Sequence, residues 1–194
     1  FNTSATVTAA VGKIWWDGVA TMHVGMTTNV TGHALEDNFF YIKASSAITK
    51  GNVVMFTGSV GASGVATGAP ATGLTDGTYI MGIAAENISL GNFGLVQYLG
   101  TLRGIDTSAY ADGDILWYDP SITGGLTKTK PSAPNIKVQM CAVVSAGNNG
   151  SVLIRVNAGS VLGGTDSNVQ FGTLANNDVI QYLSLIHISE PTRR

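Results

Sequence analysis

Charge is scarce in this chain of 194 residues: Asp, Glu, Lys and Arg make up 11% of it, and the formal net charge is −2. A nucleic-acid-binding protein carries a basic patch or stripe, and neither that nor an acidic or basic arm is present. Cysteine is reduced to one, Cys141, which excludes an internal disulfide framework. No apolar run approaches the roughly 18 residues of a membrane-spanning helix. Helical periodicity with caps is also missing over any stretch of about ten residues. The opening "FNTSATVTAAVGK" has neither an initiator Met nor a basic segment leading an apolar one. It reads as a fragment of a longer frame without a signal peptide.

What is present points to strands and tight turns. Apolar residues make up 44%, much of it Ala and Val, with 25 glycines. β-Branched residues suit a pleated sheet, and Gly and Asn supply turn conformations. In "IKVQMCAVVSA", Val138, Met140, Ala142 and Val144 alternate with Lys137, Gln139 and Cys141. In "SVLIRVNA", Val152, Ile154 and Val156 alternate with Leu153, Arg155 and Asn157. With "GNNG" between them, residues 136–157 are expected to form a β-hairpin. Further strands are expected at 13–16, 20–24, 38–44, 52–58, 78–88, 93–102 and 114–119. Asp-Gly at 17–18, 76–77 and 112–113 is turn chemistry. The Gly-rich segment 58–73 reads as a loop or irregular strand pair, 121–135 as largely loop, and 157–168 as a linker. "TDGTYIMG" and "ADGDILWY" echo each other, which in an all-β chain does not define a repeat.

The search for chemistry yields turn and core residues. "GASGVATG" lacks the Lys-Ser/Thr and the helix start of a phosphate loop. His23 has no further metal ligand near it at a useful spacing. His33, Glu36 and Asp37 cluster in sequence and read as a polar turn. Asp112, Asp114 and Asp119 would be the carboxylates of a glycosidase pair, but each sits where a turn or a strand start uses one. No "GxSxG" nucleophile elbow exists. Cys141 reads as a small buried hydrophobe rather than a nucleophile. Four Asn-x-Ser/Thr sequons, at Asn2, Asn29, Asn87 and Asn149, carry no weight in so Asn- and Thr-rich a chain. Trp15, Trp16, Trp117 and Tyr118 are considered as stacking platforms. Neighbours on a strand face opposite ways, so one of each pair is assigned to the core. No catalytic, cofactor-binding or metal residue is assigned, no cofactor is expected, and Trp117 and Tyr118 remain the candidate receptor contacts.

The stretch from "SSAITKGNVVMFTG" through "GIAAENI", "GIDTSAYADGDILW", "GGLTKTKPSAPN" and "VLIRVNAG" resembles a module of bacteriophage tail fibres and related virion structural proteins. It covers roughly residues 45–159, and "DTSAYADGDILW" and "GGLTKTKPSAPN" are its most specific blocks. "GKIWWDGVATMHVGM" resembles the short hairpin that precedes such modules, and "LANNDVIQY" (174–182) the start of a further fibre segment. The resemblance implies a non-enzymatic structural module in a homotrimer on the virion, supporting host attachment. Its partners would be copies of itself, other tail proteins and a host-surface glycan or protein, with no nucleic acid and no membrane span. A capsid decoration or head-fibre protein, or a glycan- or receptor-binding adhesin domain, is the alternative.

The ending "LSLIHISEPTRR" looks like the translation of a sequencing-library adapter, so residues 183–194 are set apart as an artefact. The expected organisation is an all-β chain: an N-terminal hairpin segment at 1–29, a compact multi-stranded module at 30–159, and a linker with a truncated segment at 160–182.

Overall fold

The computed structural model describes residues 10–16, 22–34, 36–61, 64–132 and 134–158. The chain divides into two compact units, Phe1–Gly159 and Ser160–Arg194, and the described residues all belong to the first. The Asp17-Gly18 turn, the linker beyond Ala158, the segment to residue 182 and the stretch 183–194 lie outside them.

The protein is all-β. Twelve described strands run in order: β1 (Ile14–Trp16), β2 (Met22–Gly25), β3 (Thr31–His33), β4 (Asn38–Ala44), β5 (Val53–Val60), β6 (Val65–Pro70), β7 (Ile80–Ala84), β8 (Phe93–Ile105), β9 (Ile115–Asp119), β10 (Gly125–Thr127), β11 (Gln139–Ser145) and β12 (Gly150–Asn157). The described residues contain no α-helix. The N-terminal hairpin strands are β1 and β2, with Ile14 opposite Val24, and β3 pairs with β2 on its other edge.

The other nine strands form one sheet in the order β10-β9-β11-β12-β8-β4-β6-β5-β7, and β7 pairs in turn with β8. Strands β8, β4, β6, β5 and β7 therefore close into a ring. One parallel pairing, Lys43 with Thr67 and Ala44 with Gly68, joins β4 to β6. At the other seam Ile83 faces Gln97 and Ala84 faces Val96. Closure removes free edges from this half of the sheet. β8 links the two halves: at Leu99 it pairs with Asn38 of β4 on one edge and Arg155 of β12 on the other.

Alternation along the ring strands divides the apolar side chains between two clusters. Ile42, Ala44, Val54, Ala84 and Val96 pack together with Ile48 and Ile88. Their strand neighbours Val53, Ile83 and Leu95 join a larger cluster with Leu116, Tyr118, Val138, Met140, Val152 and Ile154. Each large aliphatic side chain buried this way contributes about 1.5–3 kcal/mol.

Three turns repeat one design. Thr49–Asn52, Ser89–Asn92 and Ala111–Asp114 each close with an i→i+3 hydrogen bond of 3.0–3.1 Å. The third residue in each, Gly51, Gly91 or Gly113, lies at φ 80–90°, where only glycine is unstrained. Each Gly-Asn/Asp pair clasps a strand residue by its backbone. Gly51 and Asn52 bond to Ala84, Gly91 and Asn92 to Ala44, and Gly113 and Asp114 to Val143. Residues 44–52 and 84–92 share Ala-x-x-x-Ile-x-x-Gly-Asn, a nine-residue motif that recurs 40 residues on and that the Asp-Gly echo did not reveal.

The hairpin of β11 and β12 is as expected, with Ala142 opposite Leu153 and Cys141 opposite Ile154. The expected alternation on β11 fails halfway. A bulge between Gln139 and Cys141 puts one extra residue on β11 against β9, and an extra residue exchanges the two faces. Val138 and Met140 are buried before it, Cys141 and Val143 after it, and Val144 faces out. In the segment 58–73 the irregular strand pair is what forms, the end of β5 against β6 with a register shift between Phe56 and Gly58, while β10 lies within 121–135, read as largely loop, where three residues pair with β9.

Candidate functional site

The most elaborate polar arrangement lies where β3 and its turn meet β8. Asp37, at the start of β4, is its anchor. Its Oδ2 accepts from the His33 backbone N–H at 2.8 Å, and its Oδ1 accepts from Gln97 Nε2 at 2.9 Å and the Thr101 N–H at 3.0 Å. With the Glu36 and Asp37 N–H groups donating back to the His33 carbonyl, residues 33–37 form the polar turn expected of them. A second buried carboxylate, Glu86, accepts from Thr27 Oγ1, Asn29 Nδ2 and the Leu95 N–H. Buried carboxylates need such partners, and here they tie the N-terminal sheet to the ring.

Around Asp37 opens a cavity of about 340 Å³, lined by residues that include Asn29, His33, Phe39, Lys50, Gln97 and Arg103. The Phe39 ring packs on the bare Cα of Gly32: a Cβ there would come within 2.9 Å of the ring edge. Lys50 is placed by the Gly51 turn, and its N–H bonds to Asn87 Oδ1 at 2.8 Å. Burial pushes its ammonium below the ordinary lysine range. Arg103 reaches from β8, with Nη1 3.3 Å from His33 Nδ1 and 3.5 Å from the Thr101 carbonyl. Arginine can only donate, so in this contact His33 Nδ1 is the acceptor. Burial lowers the His33 pKa, and Arg103 and His23 add to this, while Asp37 at 3.5 Å and Glu36 at 3.6 Å oppose it. His23 lies edge-on to His33 at 4.7 Å and stacks on Trp15 at 5.4 Å.

Neither Lys50 nor Arg103 forms an ion pair with a carboxylate among the described residues. Within the same set, no three His, Cys, Asp or Glu side chains are placed to hold a metal. No protein-family model and no curated protein matches the chain.

The residues singled out from sequence are spread elsewhere. Tyr118 is fully buried in the main core, so it is not available to a receptor. Its hydroxyl has no well-formed hydrogen bond. Burial pushes its pKa up, and the nearby Leu74 backbone offsets this only in part. Trp117 faces the other way, half-buried, with Lys130 Nζ 5.2 Å from its ring centre. The aspartates serve turns. Asp112 accepts from the Ala146 N–H, Asp114 from that of Ala111, and Asp119 from Ser121. Cys141 is buried, and its thiol is pushed up to about 12.

The cleft residues come from three segments, Asn29 before β3, Lys50 in the turn before β5, and Gln97 and Arg103 on β8, with no motif spacing, which hides them in the sequence. Only their type, isolated charge in a charge-poor chain, sets Lys50 and Arg103 apart.

Proposed function

We propose that this chain is a structural module of a bacteriophage tail fibre or similar virion appendage, associating as a homotrimer and supporting host attachment. The resemblance of the "DTSAYADGDILW" and "GGLTKTKPSAPN" blocks supports this reading. So does a body in which carboxylates work as turn and seam fasteners.

The observation that carries the association is an exposed apolar row across the sheet. Ile115 pairs with Ala142, Ala142 with Leu153, and Leu153 with Thr101. Ile115 and Leu153 are each about 40% exposed, and Leu99, Phe40 and Tyr98 are exposed on the neighbouring strands. Phe40 and Tyr98 pack against each other at 4.6 Å between ring centres. Exposed apolar side chains on neighbouring strands suit an interface. Light scattering of the full chain is expected to give three times the monomer mass, and Leu153→Lys is expected to reduce it. A stable monomer at all concentrations overturns the trimer.

A further inference from the structure

We infer that the cleft between β3 and β8 is a binding site for a small polyhydroxylated anion, a sugar unit carrying a carboxylate or phosphate. The inference stands on the cleft alone and does not depend on the fibre reading.

The argument is an inventory of unused hydrogen-bonding capacity. The acceptors in and behind the cleft are taken. Both Asp37 oxygens and both Glu86 oxygens accept from groups of the protein itself. Gln97 has spent both amide N–H groups, on Asp37 Oδ1 and on the Leu99 carbonyl at 3.2 Å. The donors are in surplus. Lys50 carries three N–H bonds and Arg103 five. Arg103 Nη1 spends its own on His33 Nδ1 and the Thr101 carbonyl, and among the described residues no carboxylate pairs with Lys50. A ligand rich in acceptors matches such a lining, and charge-assisted bonds to a carboxylate or phosphate are the strongest available.

Asp37 and Glu86 balance the two cations in charge without pairing with them. Lys50, partly buried, and Arg103, exposed, thereby keep N–H groups open to the cleft. Glu36, mostly exposed, stands at the rim beside His33. The remaining amide oxygen of Gln97 and the apolar Phe39 ring suit a hydroxyl and the C–H face of a sugar. A volume of about 340 Å³ is near the small end of ligand sites, which run from about 300 to 1,000 Å³. That size takes one monosaccharide unit.

The test is titration of the full chain with glucuronate, glucose 6-phosphate, glucose and inorganic phosphate, followed by tryptophan fluorescence and calorimetry. Binding of one or both acidic sugars is expected with a Kd in the millimolar range or tighter, where 1 mM corresponds to about −4 kcal/mol. Which acidic sugar binds separates carboxylate from phosphate as the anion read. Arg103→Gln and Lys50→Gln are each expected to weaken binding by about tenfold, a change of about 1.4 kcal/mol. Arg103→Lys is expected to retain more of it than Arg103→Gln. Thermal unfolding of each variant checks that the fold is kept, and Lys50→Gln serves if Arg103→Gln fails to fold. Equal binding of glucose and the acidic sugars overturns the inference. So does phosphate binding as tightly as either sugar, acidic-sugar binding unchanged in both folded variants, or no binding of either acidic sugar at about 10 mM, roughly −2.7 kcal/mol.

Discussion

Ile48 and Ile88 exchange backbone hydrogen bonds, each donating to the other's carbonyl at 2.8 Å. They occupy equivalent places in the 44–52 and 84–92 repeats, so the two copies meet head-on through the same residue. Both side chains are buried in the ring core. The fit is close on one side: a Cβ on Gly94 would lie 2.6 Å from Ile88 Cδ1 and Cγ1.

Gly94→Ala is therefore expected to destabilise the protein by about 1–3 kcal/mol through overpacking. Ile88→Ala is expected to cost about 2–5 kcal/mol through the cavity it leaves. The double variant should cost clearly less than the sum, because the new methyl enters the vacated space. Urea denaturation of all three checks this, and strict additivity would show that the two sites do not touch.

Gly100 sits at φ 109° with the place of its absent Cβ occupied by Asp37 Oδ1. Gly100→Ala combines a strained backbone with displacement of a carboxylate that holds three N–H groups. An expected loss of about 3 kcal/mol or more puts it in the severe class. Gly61→Ala is the control: it shares a positive φ but meets nothing within 4 Å, and should cost only its backbone strain, about 1–2 kcal/mol. Comparing the two urea midpoints separates collision from strain.

His33 has a folded pKa below its ordinary value of 6.5, chiefly through burial. Its neutral form is the one the fold favours. Its contribution to stability is full above pH 6.5 and is lost as the pH falls from there through the folded value. The groups facing it are Asp37, Arg103, His23 and Glu36. Thermal midpoints across that window should fall with acidification in the parent chain and fall less in His33→Gln. An identical slope in the variant would assign the acid sensitivity to another group.

Tyr118 has a buried hydroxyl without a good partner. Removing an unsatisfied polar atom at nearly constant shape is neutral or favourable. Tyr118→Phe is thus expected to hold or raise stability by up to about 1 kcal/mol, measured by urea denaturation. A loss greater than about 1 kcal/mol would mean that the hydroxyl makes a net favourable bond.

Where packing and alternation agree locally, the strands were readable. "NFFYIKA" forms β4 over the same seven residues, and "GNNG" does turn β11 into β12. Short strands such as β3 and β10 exist because a neighbour pairs with them, and three residues carry no period of their own. The bulge at Gln139–Cys141 was invisible because one inserted residue leaves composition unchanged while it exchanges faces. The nine-residue motif recurring 40 residues on was present in the letters, as Ala44, Ile48, Gly51 and Asn52 against Ala84, Ile88, Gly91 and Asn92. Its flanks are too dissimilar to draw attention to it. The cleft was the least legible part. Asp37 showed only as a turn former, and Lys50 and Arg103 were not singled out, because three-dimensional closure rather than spacing brings them together.

The double pairing of Leu99 has a topological consequence. β4, the first strand of the nine-stranded sheet, begins at Asn38, and β12, its last described strand, ends at Asn157. Asn38 and Arg155 flank Leu99 on opposite edges, two strand spacings apart, or about 10 Å. The chain thus enters and leaves this sheet at nearly one point. Such a unit behaves as a cassette: it can be spliced into a loop of another protein, or cut out of one, and the host's broken ends need bridge only that short gap.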